Sequence, residues 1–78
     1  MPTIIRIGKL KFRIYPHDHR PAHVHVEKAG AEAKFEIKTG ECLSANGFTE
    51  RSIKSLSKKV LEKSELLLEV WREYEGED

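Results

Sequence analysis

Cysteine, tryptophan and methionine occur once each in the 78 residues, as Cys42, Trp71 and Met1. A lone cysteine excludes an internal disulfide framework and fits a reducing compartment. No apolar run approaches the roughly 20 residues that a membrane span requires. The opening Met1-Pro2-Thr3-Ile4-Ile5-Arg6 lacks a signal-peptide hydrophobic region. A cytoplasmic protein without a membrane partner is therefore expected. Charge of one sign is lacking too, since a net charge of +1 does not mark a strong polyanion binder. None of the glycines sits in a phosphate-cradling loop; Gly8, Gly30, Gly40 and Gly47 read as turns. Repeats, low-complexity tracts and internal linkers are missing, so residues 1–78 are expected to form a single domain around one modest core.

What the chain does have is concentrated. All four histidines fall inside the nine residues His17-Asp18-His19-Arg20-Pro21-Ala22-His23-Val24-His25. Histidine binds metals, moves protons and changes charge near neutral pH. The stretch also lies in the basic half. Residues 1–40 carry 8 Lys/Arg against 4 Asp/Glu, whereas residues 41–78 carry 6 against 9. The acidic excess lies mainly in Glu69, Glu73, Glu75, Glu77 and Asp78, toward a frayed terminus.

The first half reads as strand. Thr3 to Ile7 is rich in β-branched residues and Gly8-Lys9 punctuates it. Leu10, Phe12 and Ile14 alternate with Lys11, Arg13 and Tyr15, the period of a half-buried strand. Pro16 and Pro21 bound an interruption. Ala22 to Lys28 alternates again, Ala29-Gly30 marks a hairpin, and the return strand turns Ala33, Phe35 and Ile37 inward. Glu41-Cys42-Leu43-Ser44 suits a further short strand, and Asn46-Gly47 ends the β part. From Thr49, an acceptable N-cap, the spacing of Ile53, Leu56 and Val60, then Leu67, Val70 or Trp71, and Tyr74 is helical. Lys63-Ser64 breaks the stripe, which favours two helices over about 50–62 and 65–75, with one bent helix as the alternative. The expected class is α+β, an antiparallel sheet of four or five strands followed by two C-terminal helices packed on one face.

If Val24 and Val26 face the helices, His23, His25 and Glu27 occupy the opposite, open face together with Lys11, Arg13, Tyr15, Glu32, Lys34, Glu36 and Lys38. Two hairpin registers remain open. A tight loop at Ala29-Gly30 sets His25 opposite Lys34 and Glu27 opposite Glu32, a like-charge pair. A slip of two residues sets Glu27 opposite Lys34 and His25 opposite Glu36.

Met1-Pro2-Thr3-Ile4, His19-Arg20-Pro21-Ala22-His23-Val24-His25-Val26-Glu27, Glu32-Ala33-Lys34-Phe35 and Glu65-Leu66-Leu67-Leu68-Glu69-Val70-Trp71 carry a family resemblance over nearly the whole chain. The chain resembles the domain of unknown function 4160 family. That family usually has a second proline where Ala22 stands here, a departure that should loosen the loop slightly. The resemblance implies a prokaryotic, bacterial-type protein encoded beside a second small protein, in a layout similar to toxin–antitoxin pairs. It implies no reaction and no catalytic residues.

Three chemistries fit the histidine stretch. His19, His23 and His25 can be read as three imidazole ligands for zinc or a similar divalent ion, with Asp18 or Glu27 as a ligand or orienting carboxylate. Lys34 nearby opposes a cation. The competing reading has the rings capping backbone groups of the irregular loop, with no cofactor. Acid–base hydrolysis is the second chemistry, a ribonuclease-like site with His23 and His25 as catalytic groups, Arg13 and Lys34 supplying charge and Tyr15 stacking on a base. Partner contact is the third. Lys11, Arg13, Tyr15, His19, Arg20 and Lys34 then bind a second small protein or RNA. Partner contact is the leading expectation and the hydrolase the runner-up. Cys42 reads as a small buried hydrophobe, Trp71 as a core anchor, and Lys54, Lys58 and Lys59 as a solvated helix face.

Overall fold

The computed structural model describes residues 3–16 and 19–75, so His17, Asp18, Glu77 and Asp78 lie outside the described residues. Five strands come first, β1 (Thr3–Ile7), β2 (Leu10–Ile14), β3 (His23–Lys28), β4 (Ala31–Glu36) and β5 (Cys42–Asn46). They pair in sequence order as one antiparallel sheet. Two helices follow, α1 (Glu50–Glu62) and α2 (Ser64–Glu75). This is the α+β arrangement expected from the change of hydrophobic period at Thr49.

The β3–β4 hairpin takes the tight register. Lys28 pairs with Ala31, which leaves Ala29 and Gly30 as a two-residue loop with φ of 49° and 85°. Positive φ at both central positions is the requirement of the hairpin turn whose twist matches that of the strands. Ala29 accepts a conformation that disfavours a Cβ, at a cost of about 1–2 kcal/mol. A slip of two residues would keep the same faces inward but would lose this turn. Beyond His23 opposite Glu36, the Ile37 amide donates to the Ala22 carbonyl at 3.0 Å and extends the ladder.

Between β4 and β5 the register shifts at Lys34/Phe35, because Lys34 pairs with Ser44 and Phe35 with Cys42. Leu43 is thus bulged and exposed. Bulges of this kind bend an edge strand and increase its twist. Cys42 is half-buried, and its Sγ donates to the Ser44 carbonyl at 3.4 Å.

One face of the sheet carries the core. Phe12, Ile14, Val24, Val26, Ala33, Phe35 and Ile37 meet Leu56, Val60, Leu67 and Trp71 from the helices. Thr49 caps α1, its hydroxyl oxygen accepting from the Ser52 amide at 3.1 Å. Lys63 ends it, its amide donating to the Lys59 carbonyl at 3.1 Å. The break expected at Lys63-Ser64 is therefore real, and it lets α2 turn toward β2. Gly40 seats α1 on the sheet. Its φ is 75°, its carbonyl accepts from Ser57 Oγ at 2.6 Å, and a Cβ there would stand 2.8 Å from Leu61 Cγ. Close approach and left-handed backbone both demand glycine. Among the described residues no helix is long and apolar enough to cross a membrane.

Trp71 is 5% exposed and belongs to the core, as its helical spacing implies. Trp71→Ala should cost about 3–5 kcal/mol by the usual large-to-small penalty. Denaturant unfolding measures this directly, and a loss below about 1 kcal/mol would mean that the indole is not a core anchor.

Candidate functional site

Among the described residues both helices pack on the core face of the sheet, and α2 reaches the edge of the second face at His23 through Trp71. Strand pairing arranges its outward side chains in rows that run across the strands. The central row is Ile4, Arg13, His25, Lys34 and Ser44 on successive strands. The next is Arg6, Lys11, Glu27, Glu32 and Asn46. The site residues expected on this face lie on or beside β2, β3 and β4 and are brought together by the registers of those three strands. A shallow groove of about 380 Å³ lies beside His25 and Lys34, walled by Glu32, Ser44 and Asn46.

The like-charge pair Glu27 and Glu32 is present, and the third strand resolves it. Arg13 Nη2 reaches Glu27 Oε1 at 3.3 Å, diagonally from β2 to β3. Half-exposed ion pairs of this kind contribute at most about 1 kcal/mol, enough to offset repulsion between two neighbouring carboxylates. The Nε of Arg13 is buried without a hydrogen-bond partner among the described residues.

Four rings form a line. Tyr15 stands edge-on to His25 with centroids 4.9 Å apart, His25 lies 5.2 Å from His23, and His23 lies 5.3 Å from Trp71. The line runs from the open face into the core. This corrects the expectation that His23, like His25, is open to solvent. His23 shares the side of His25 but is 5% exposed, because it stands at the first position of β3 and Trp71 of α2 covers it. Its Nδ1 is 2.8 Å from the Pro21 carbonyl oxygen. A carbonyl only accepts, so Nδ1 carries a hydrogen and donates it. This is the loop-capping role that the sequence allowed for the histidines.

The other expected site residues are dispersed. His19 and Arg20 are exposed in the loop before β3. Arg20 turns to the helical side, its guanidinium 2.6 Å from the Glu75 carboxylate. Among the described residues no group of three or more His, Cys, Asp and Glu side chains is arranged to hold a metal ion. Sequence reasoning missed the Arg13–Glu27 and Arg20–Glu75 pairs and the His23–Trp71 contact. Only the first left a trace, since a tight hairpin that opposes two glutamates needs a cation from a neighbouring strand.

A family model described as Domain of unknown function (DUF4160) matches residues 10–72. The chain belongs to this family. The family's segment begins with β2 and ends in α2, so it contains the Arg13–His25–Lys34 row, both described strand histidines and Trp71. No curated protein and no solved structure matches the chain.

The two strand histidines should separate in a stability measurement. His23→Ala removes a buried ring and leaves the Pro21 carbonyl without its donor, at about 2–3 kcal/mol. His25→Ala removes a half-exposed ring and should cost about 1 kcal/mol or less. Equal losses in denaturant unfolding would contradict the distinction between a buried and an open histidine.

Proposed function

We propose that this family member is a binding module of a prokaryotic two-protein system of the toxin–antitoxin kind. Its open sheet face grips a second small protein encoded beside it. The observation that carries the reading is the central row, where Arg13, His25 and Lys34 stand side by side on adjacent strands. Arg13 and Lys34 lie two strands apart with His25 between them, so two permanent cations flank one ring on the same face. Carboxylates of a partner laid across the row would pair with Lys34 and with the exposed part of the Arg13 guanidinium.

The flanking charges favour a protein over a polyanion. Glu27 and Glu32 lie on one side of the row and Glu36, paired with His23, on the other. A phosphate backbone gains affinity from every cation and loses it at every carboxylate. A protein surface can match both signs, and complementary charge patterns of this kind set specificity and on-rate. Tyr15 against His25 adds an aromatic contact of the type enriched at interface cores. A hydrolase with two catalytic imidazoles needs both at the substrate, and the burial of His23 weighs against it.

Co-purification with the neighbouring gene product is the test. Lys34→Glu should change stability by about 0.5 kcal/mol or less and weaken the complex about tenfold, or about 1.4 kcal/mol. Arg13→Gln should weaken it as well, with some loss of stability because Glu27 loses its cation. RNA retention and cleavage are assayed on the same samples. Retention of RNA instead of protein, lost in both variants, would replace the protein partner by RNA. RNA cleavage abolished in His25→Ala, with protein binding unaffected by both charge changes, would make the hydrolase the correct reading.

A further inference from the structure

A second concavity lies on the other side of the loop that precedes β3. It has a volume of about 260 Å³ and is bounded by the Arg20–Ala22 segment, the end of β4 and the second half of α2. Its apolar lining comes from Pro21, Ala22, Leu68 and Trp71. Trp71 is held in place from behind by His23, whose ring is fixed in turn by the Pro21 carbonyl.

The rim carries charge of both signs; both of its carboxylates are already engaged, but only one of its three cations is. Glu75 holds Arg20 at 2.6 Å, and Glu36 Oε1 accepts from the Thr39 hydroxyl at 2.8 Å. Lys38 and Arg72, both exposed, have no ion-pair partner among the described residues. The net effect is a pair of available cations above an apolar hollow. An oxyanion head suits such a pair, since Arg offers a planar fork and Lys a point charge. The volume is below the roughly 300–1,000 Å³ of pockets for drug-sized molecules, so the occupant is small.

We propose that this groove binds a small organic anion, with a carboxylate or phosphate head between Lys38 and Arg72 and a compact apolar body on Leu68 and Trp71. The site borders the open sheet face at Glu36 but does not depend on the protein-binding reading. Carboxylate and phosphate monoester are two sources of the same head-group chemistry, and the experiment distinguishes them.

Trp71 is the one tryptophan of the chain, so its emission reports on the groove without labelling. Phenylacetate, phenyl phosphate, inorganic phosphate and neutral benzyl alcohol are titrated in turn. Phenylacetate or phenyl phosphate should give a saturable change at concentrations up to a few millimolar, about 3–4 kcal/mol of binding on the usual scale. Whichever is tighter identifies the head group. Lys38→Gln and Arg72→Gln should each weaken that binding several-fold, whereas Lys58→Gln on α1 should leave it unchanged. Both rim side chains are exposed, so neither variant should disturb folding, which a melting curve verifies. Absence of a saturable change with both aromatic anions would overturn the proposal. So would a change insensitive to both rim variants. Equal affinity for inorganic phosphate would refute the apolar half of the site, and equal affinity for benzyl alcohol the anionic half.

Discussion

The two-residue turn at Ala29-Gly30 governs more of this molecule than its size suggests. Both residues must hold positive φ, which only one loop length between β3 and β4 satisfies. Once that turn is made, Val24 falls on Phe35 and Val26 on Ala33 on the core side. On the open side His25 falls on Lys34 and Glu27 on Glu32. Apolar burial alone would tolerate a slip by two, because the side-chain period is two. Charge alone would favour that slip. Backbone geometry decides against both, and the electrostatic consequence is passed to β2, where Arg13 takes Glu27.

This ordering explains which parts of the fold were legible from sequence. Strand and helix limits followed from hydrophobic period, and Thr49 and Lys63 stand at the α1 boundaries because capping and a broken stripe are local signals. The membership of the open face was legible for the same reason. The hairpin register was not, since loop length and charge pointed to different registers and the cation that compensates the Glu27–Glu32 opposition lies on a strand that is not part of the hairpin. Pairwise charge rules applied to two strands miss a third strand's contribution.

The fate of His23 was equally hidden. Alternation assigns it a side of the sheet, and it keeps that side, but alternation says nothing about what lies beyond the strand's end. There α2 brings Trp71 to within 5.3 Å of its ring. Contacts between a strand's first residue and a helix forty-odd positions later depend on how the helices cross the sheet, which no local pattern encodes. The consequence is chemical. One histidine of the pair becomes a fixed element of the core boundary and the other stays at the surface, so the cluster divides into a structural part and a part available for contact.

That division clarifies how the central row is stable without a partner. Arg13 and Lys34 flank His25 and are two strand spacings apart, roughly 10 Å, which is about one Debye length at physiological salt. The ring between them keeps the two permanent cations on non-adjacent strands, and Arg13 already directs one of its nitrogens to Glu27 at 3.3 Å. A row built as Arg–Lys–Arg would instead set permanent charges on neighbouring strands, where like charges directly opposite are destabilising. The imidazole at the centre is therefore what separates the two cations that the proposed complex would engage.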